Sequence, residues 1–180
     1  MQKIFILLFF IMFFSKGNAQ NLVPVDEGSA IKFSIKNFGF STGGSFTGLK
    51  GKIQFDAGNI ANTSFTVSVD ATSINTNNES RDKHIRKEEY FNVEKYPLIS
   101  FASAAVSNGD KPGTFLMKGN LTIKGVTKPI SFPFTAIAQN SGFLFSASFN
   151  INRRDFGVGS NSMVLADNLL LSLRVFAKKN

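Results

Sequence analysis

RDKHIRKEEYFNVEKYPLISF, residues 81–101, is the stretch that decides how this chain folds, because only here does the alternation of apolar and polar residues stop. Its first nine positions hold seven charged residues, which is typical of one or two turns of a polar helix. Asn78 or Ser80 is placed to cap this helix, and Asp82 and Arg86 have the spacing of an ion pair.

The second half of the same stretch is apolar. Tyr90, Phe91, Val93 and Tyr96 follow the charged residues, and Pro97 prevents a helix from continuing into the next strand. An apolar foot below a charged helix predicts a lid or plug over the end of a barrel.

On both sides of this stretch, apolar residues alternate with polar ones at the period of a β-strand. Only residues 75–96 are long enough for the crossover that parallel strands require, so the sheet is predicted to be antiparallel, either a closed barrel or a sandwich. Glycine-rich Asn37–Gly48 is predicted to form bends or bulges. About eight strands are predicted, at Ile31–Ile35, Lys50–Phe55, Ser64–Ala71, Leu98–Val106, Phe115–Ile123, Ile130–Ala136, Phe143–Ile151 and Leu169–Ala177.

Two of these strands carry additional signals. Pro129 and Pro133 cannot donate backbone hydrogen bonds, so their strand is predicted to be an edge, to be bulged, or to lie where the barrel is open. In Leu98–Val106 the alternation places Ser103 and Ala105 on the same inward face as the larger apolar residues.

The amino terminus has the pattern of a secretory leader. Met1–Lys3 is positively charged, Ile4–Phe14 is almost wholly apolar, and Gly17–Ala19 provides the small residues that signal peptidase requires. The apolar run is too short for a membrane span, which needs about 20 residues. We therefore predict a signal peptide over residues 1–19 and a periplasmic or secreted domain over residues 20–180.

The charge of the chain bears on its partners. Loss of Lys3 and Lys16 with the leader lowers the formal net charge from +8 to +6. The lysines are scattered over alternate strand faces, without a groove of interleaved aromatic residues, so nucleic acid is not predicted as a partner. A basic exterior favours transient contact with an anionic membrane surface.

The chain has 21 phenylalanines, no tryptophan and no cysteine, so burial of aromatic rings rather than disulfides must stabilise it. Eight closed strands enclose either a filled core or space for one small ligand, and the residues leave both open. The mixing of phenylalanine with small residues such as Ser103 and Gly119 favours a cavity. Alternation predicts its lining as Phe33, Phe65, Val67, Phe101, Leu121, Phe132, Phe134, Phe145 and Phe149.

Catalysis is not predicted. His84 is the only histidine, so a metal site would have to combine carboxylates with a single imidazole. A Ser-His-Asp relay is formally open, but serines and aspartates occur in any chain of this length. We predict no catalytic residue, no metal and no cofactor, and we expect His84 and Arg81 to stabilise the helix or to meet a ligand head group.

The order and spacing of several motifs resemble those of the YceI-like family of lipid- and polyisoprenoid-binding periplasmic proteins. The motifs are Arg81-Asp82-x-His84, Tyr90–Val93 and Lys95–Pro97 in the central stretch, and the likeness extends to Phe46–Asp56, Gly119–Lys128 and Arg154–Val158. Lys124 stands where the family often has histidine, so a role of that histidine is not carried over. The resemblance implies a lipocalin-like eight-stranded antiparallel barrel whose apolar bore holds an isoprenoid chain or a related long lipid.

Two functions remain open at this point. The first is an exported carrier of a polyisoprenoid or acyl lipid, whose polar or pyrophosphate head would meet Arg81, His84, Arg153 and Arg154, because guanidinium groups suit phosphate. The second is a solid-cored structural or stress-related interaction protein without a ligand. Whether the chain forms a homodimer is left open.

Overall fold

The structure is a computed structural model that describes residues 19–180, so the predicted signal peptide lies, apart from Ala19, outside the described residues. No helix in the described range is long and apolar enough to cross a bilayer. One α-helix, α1, spans Glu79–Ile85, and short 3-10 helices lie at Ile60–Asn62, Ala71–Ser73 and Arg153–Phe156. The strands are β1 Gln20–Asn37, β2 Phe40–Phe46, β3 Lys50–Phe55, β4 Ser64–Asp70, β5 Leu98–Asn108, β6 Thr114–Ile123, β7 Val126–Gln139, β8 Gly142–Asn152 and β9 Leu165–Lys179.

Eight of these strands close into a barrel. They follow one another in the order β1-β3-β4-β5-β6-β7-β8-β9, every pair is antiparallel, and β9 returns to pair with β1. The predicted eight-stranded antiparallel barrel with one short helix is therefore confirmed. Closure pairs most of the strand edges, which is the general advantage of a barrel over an open sheet.

A bend in β1 sets the shape of the barrel wall. Its pairing with β9 is interrupted by a bulge between Val25 and Ala30. On its other edge, β1 pairs with β3 before the bulge and with β2 after it. The carboxylate of Asp26, inside the bulge, accepts hydrogen bonds of 2.9 Å from the backbone N–H groups of Gly48 and Leu49. The bend is thereby tied to the connection between β2 and β3.

The strand β2 was not expected from the sequence, which predicts bends or bulges over Asn37–Gly48. In the structure this segment forms a hairpin with the second half of β1. A Cβ atom at Gly44 would collide with the ring of Phe33 on the paired strand, so glycine makes room for that ring. Because the small residues replace the expected apolar ones, the alternation that marks a strand is lost here.

The prediction for Ala105 was wrong, because β5 contains a bulge. Its pairing with β6 passes from Ser103 opposite Gly119 to Ala105 opposite Lys118, which leaves Ala104 as an extra residue. An extra residue reverses the alternation of the strand. Ala105 is therefore exposed, and Val106 is buried in its place.

The proline-containing half of β7 behaves as predicted. The residues from Val126 to Pro133 pair with β6 but not with β8, which joins β7 only from Phe134 onward. Side chains close the gap that results, since the rings of Phe132 and Phe149 stack across it with their centroids 4.0 Å apart.

The end of the barrel opposite α1 is filled with aromatic side chains. The ring of Phe55 lies at its centre, with centroid distances of 4.9 Å to Phe143, 5.2 Å to Phe145 and 5.9 Å to Phe115. All three pairs are edge-to-face, the arrangement that aromatic rings prefer. This cluster belongs to the main hydrophobic core and fills the interior of the barrel at this end.

Candidate functional site

The half of the barrel nearer to α1 encloses a cavity of about 690 Å³. Pockets that hold small ligands commonly measure about 300–1,000 Å³. The wall is built from inward-facing apolar side chains of the barrel strands, among them Ile31, Phe33, Ile35, Val67, Val69, Ile99, Phe101, Leu121, Ile130, Phe149, Ile151, Leu169, Leu171, Leu173 and Val175. The barrel is thus neither wholly solid nor wholly hollow.

The floor of the cavity is the upper surface of the aromatic core. Phe65, Phe134 and Phe145 line the cavity and also contact one another, with centroid distances of 5.1 Å between Phe65 and Phe145 and 5.7 Å between Phe65 and Phe134. These residues are buried, and Met117 and Phe132 complete the floor. The three rings are 4–7% exposed, so packing covers most of their surface.

All of the apolar residues predicted as lining border this cavity. Alternation predicts Leu169, Leu171 and Leu173 as one strand face, but this row was not among the predicted lining residues. The structure places this row on the cavity wall, beside Phe149 and Ile151 of β8. The alternation of β9 was the signal that could have identified it.

The charged helix and its apolar foot border the cavity, where a lid or plug was predicted, and the segment Asn75–Tyr96 that contains them is here called the lid. It contains α1, and its Ile85, Tyr90 and Phe91 face the cavity. Phe91 packs edge-on against Phe46 of β2, with the ring centroids 5.7 Å apart. The apolar foot therefore joins the lid to the barrel wall.

Buried hydrogen bonds hold the start of the lid. Asn78 caps α1 by accepting the backbone N–H of Arg81 at 2.9 Å, which confirms one of the two predicted caps. Asp82 is buried and accepts the backbone N–H and the hydroxyl of Thr76 at 2.9 and 2.5 Å. The predicted ion pair of Asp82 with Arg86 does not form, because Thr76 occupies the carboxylate and Arg86 donates to the carbonyl of Ile74 at 2.9 Å.

Arg81 and His84 stand where the lid faces the cavity. The Nε and Nη2 atoms of Arg81 donate to the hydroxyl and the carbonyl of Thr76, both at 2.8 Å. These bonds use two of the five N–H donors of a guanidinium, so the group is held in place with donors to spare. The ring of His84 packs edge-on against Tyr90, 5.0 Å between centroids. Polar groups at this end of an otherwise apolar cavity can orient a ligand that has one polar end.

Arg153 also borders the cavity, but its guanidinium is fully engaged within the protein. It is 4% exposed, and its donors meet five acceptors, the carbonyls of Val158, Ser160, Leu165 and Ala166 and the carboxylate of Asp167. A guanidinium has no sixth N–H. The predicted head-group role of Arg153 is therefore not supported, and the residue instead holds the loop that precedes β9 in place.

Arg154 lies outside the cavity. It is exposed, and its Nη1 donates to the side-chain oxygen of Asn161 at 2.8 Å. The sequence suggested the same role for both arginines because it does not show that the 3-10 helix Arg153–Phe156 turns neighbouring side chains to opposite sides.

Lys124 joins the lid to the loop after Arg153. It is the first residue of the two-residue turn between β6 and β7, and it has a left-handed backbone with φ of +51°. Its amino group donates to the carbonyls of Glu89 at 3.1 Å and Gly157 at 2.8 Å, and the N–H of Gly159 also donates to Glu89 at 2.9 Å. These hydrogen bonds connect the lid to the β6–β7 turn and to the loop that follows Arg153.

The described residues contain no cluster of metal-ligating side chains, and a match to a nucleophile motif lies in a different structural context from the one that motif requires. Within residues 19–180, no three side chains of His, Cys, Asp or Glu come together in a way that could hold a metal ion. Residues 39–43 read Gly-Phe-Ser-Thr-Gly and so match the Gly-x-Ser-x-Gly nucleophile motif, but they lead from the β1–β2 turn into strand β2. A nucleophile elbow requires a turn from a strand into a helix.

Comparison with known proteins agrees with this architecture. Residues 23–177 match the YceI-like domain family. A UPF0312 protein from Yersinia enterocolitica is 36% identical over 135 residues, which cover 71% of this chain and 69% of that protein.

Two solved structures share the barrel. BcnA from Burkholderia cenocepacia superposes with a TM-score of 0.80 at 23% identity, covering 86% of this chain and 99% of BcnA. A polyisoprenoid binding domain from Saccharophagus degradans, implicated in plant cell wall breakdown, gives a TM-score of 0.68 at 13% identity, covering 91% of this chain and all (100%) of that domain. At these identities the likeness establishes the fold alone.

Proposed function

Since the chain belongs to the YceI-like family, we propose that it binds a polyisoprenoid or another long-chain lipid, with the apolar tail in the barrel cavity. The observation that carries the proposal is a 690 Å³ cavity with an almost continuous wall of phenylalanine, leucine and isoleucine. Water has few partners in such a space, whereas a hydrocarbon chain fills it favourably. The polyisoprenoid binding domain from Saccharophagus degradans, which shares this fold, supports the same ligand class.

The tail supplies most of the affinity in this proposal. Each buried methylene contributes about 0.8 kcal/mol, so a tail with about ten buried carbons contributes roughly 8 kcal/mol before the entropic costs of binding. The polar end of the ligand lies near Arg81 and His84, where the lid presents its donors. The proposed role is binding, because the apolar wall of the cavity suits a hydrocarbon chain.

The proposal includes export. The charged, apolar and small-residue regions of residues 1–19 favour secretion, and the barrel would then work in a periplasm or outside the cell. Mass spectrometry of the protein recovered from that compartment tests this part. A polypeptide that begins at Gln20 is expected, and one that retains Met1 would contradict export by this leader.

The binding proposal can be tested by filling the cavity. Ala147 lies on the wall between Phe145 and Phe149, so Ala147→Phe places a ring in the space for the ligand. Ala102→Phe is the matched control, because Ala102 is an exposed residue of β5. We expect saturable uptake of a long-chain prenol by the purified protein, a loss of at least roughly tenfold in affinity for Ala147→Phe, and no change for Ala102→Phe.

Native mass spectrometry identifies the natural ligand. A discrete added mass that extracts as an isoprenoid or acyl chain would support the carrier function. A protein that takes up neither prenol nor fatty acid, and whose two variants behave like the parent, would contradict lipid binding and leave a ligand-free interaction protein as the better explanation.

A further inference from the structure

We propose that an exposed apolar patch at the mouth of the barrel docks the protein onto an anionic lipid bilayer. The patch, here called the rim patch, consists of Phe38 and Phe40 at the β1–β2 turn and Met163 and Val164 in the loop before β9. The inference rests on the proposed function for its purpose, because docking would place the cavity where membrane lipids can enter it. The argument for the patch itself is independent of any ligand.

Four of the exposed large apolar side chains in residues 19–180 belong to the rim patch. Phe38 is 71% exposed, Phe40 77%, Met163 103% and Val164 39%. The turn and the loop are in contact, since the backbone N–H of Phe38 donates to the carbonyl of Val164 at 2.8 Å. Clustered apolar side chains of this kind mark sites that bind a partner or a membrane.

The backbone conformation at position 38 does not favour phenylalanine in this turn. Its φ is +49°, a left-handed conformation that bulky residues rarely adopt and that glycine or asparagine adopts readily. The following residue, Gly39, is also left-handed, with φ of +79°. A polar residue at position 38 would make the same turn with less strain, so the exposed ring requires another explanation.

The position of the rim patch links it to the cavity. Asn37 and Thr42, which flank the β1–β2 turn, both border the cavity. Leu165, next to Val164, also borders it and pairs with Asn37. A surface that contacted the rim patch would therefore lie directly at the mouth.

The surrounding charge favours an anionic bilayer as the partner. In the β1–β2 hairpin, residues 31–46, Lys36 lies two residues before Phe38, and no acidic residue occurs. In the neighbouring loop, exposed Arg154, which is next to exposed Asp155, is bonded to Asn161, and the carboxylate of Asp167 is paired with Arg153. Basic residues beside inserted apolar side chains are the usual combination in reversible membrane binding.

The size and shape of the rim patch favour a bilayer over a second protein. Specific protein interfaces use about 20–30 residues from each partner. Four side chains on a turn and a neighbouring loop are too few for such an interface, but they are enough to insert shallowly between lipid head groups.

Vesicle co-sedimentation with the purified protein tests the proposal. The vesicles contain phosphatidylglycerol and phosphatidylethanolamine, with phosphatidylcholine vesicles for comparison. The test variant is Phe38→Asn with Phe40→Ser, in which asparagine preserves the left-handed turn. The control is Ile137→Ser, because Ile137 is 57% exposed on β7 near the opposite, filled end of the barrel.

We expect the parent protein to bind anionic vesicles more tightly than phosphatidylcholine vesicles, with a partition coefficient that falls roughly tenfold or more in the double variant and is unchanged in Ile137→Ser. Equal binding by all three proteins, or no binding by the parent, would overturn the proposal. Self-association of the parent without vesicles that the double variant abolishes would also overturn it, in favour of a second copy of the chain.

Uptake of a prenol from solution, measured without vesicles, separates this inference from the proposed function. The double variant is expected to take up the prenol like the parent but to acquire it more slowly from vesicles. Uptake without vesicle binding would retain the lipid-binding function and reject docking. Vesicle binding without uptake would retain docking and reject the lipid-binding function.

Discussion

Replacement of Arg153 by alanine should destabilise the barrel strongly, although Arg153 is one of two adjacent arginines in a polar loop. The change removes five hydrogen bonds from a guanidinium that is 4% exposed. A hydrogen bond to a charged group contributes about 1.5–3 kcal/mol, so simple addition would give roughly 7 kcal/mol or more. The true loss must be smaller, because water can reach some of the freed acceptors.

The surroundings of the five acceptors decide the size of the loss. Ser160 is exposed and the carboxylate of Asp167 is 41% exposed, so both can be solvated after the change. The carbonyl of Val158, by contrast, belongs to a buried hydrogen bond and would lose its partner without replacement. We therefore expect the free energy of unfolding to fall by about 3–5 kcal/mol, the range found when one member of a buried polar network is removed.

Equilibrium unfolding in urea measures this loss, and Arg154→Ala is the matched control. Arg154 is exposed and makes one side-chain bond, so its replacement should change the free energy of unfolding by no more than about 0.5 kcal/mol. Arg153→Lys should be intermediate, because an ammonium reaches at most about three acceptors. A loss below about 1 kcal/mol for Arg153→Ala, or equal losses for both arginines, would refute a structural role for this network.

Three further predictions concern the cavity end. Arg81→Ala should weaken the binding of a prenyl pyrophosphate by roughly tenfold or more and leave a prenyl alcohol almost unaffected, as measured by titration calorimetry; equal losses for the two ligands would argue against a head-group role. Gly44→Ala should lower the free energy of unfolding by about 1–3 kcal/mol, because the added methyl group collides with the Phe33 ring. Gly43→Ala is the control and should change this free energy little, because the nearest atom to its methyl group would lie at 3.5 Å. Urea unfolding that does not distinguish the two variants would contradict this packing. Lys124→Asn keeps the left-handed turn but removes the two hydrogen bonds from the Lys124 amino group to the lid and its neighbouring loop. Stopped-flow measurements should therefore show ligand release that is roughly three- to tenfold faster. An unchanged rate would mean that the lid does not limit ligand release.

The strands could be predicted from the sequence because burial on one face of a barrel imposes strict alternation. Lys50–Phe55 was predicted with its exact bounds, and the row from Phe143 to Ile151 faces inward throughout. The two prolines of β7 also carried usable information, since a residue without an N–H cannot complete two ladders. The number of strands and the lid followed from these local rules, whereas closure into a barrel was implied by the family resemblance, because alternation alone also fits a sandwich.

The misses have local physical causes. β2 has glycine where its partner strand needs space for Phe33, so its sequence lacks the apolar alternation of a strand. The bulge at Ala104 changes which side chains face inward, and nothing in the composition of β5 marks it. Such features depend on contacts between residues that are distant in the sequence, and these contacts are settled only when the barrel closes.

The candidate site was predicted more completely for its apolar wall than for its polar groups. Alternation identifies inward positions, and every apolar residue that it selected borders the cavity. A charged side chain, by contrast, can bind a ligand, face solvent or form hydrogen bonds within the protein. The five internal acceptors of Arg153 come from residues 158–167, and no pattern in the sequence shows that they converge on one guanidinium.

The division of the barrel into a filled and a hollow half affects how the protein can evolve. The cluster around Phe55 carries much of the folding energy, so substitutions there create voids and are strongly selected against. Wall residues such as Val67, Leu171 and Leu173 already face empty space, so shortening or lengthening them alters the shape of the cavity at a smaller cost in stability. The shape of the cavity can therefore change among related chains while the scaffold that surrounds it remains the same.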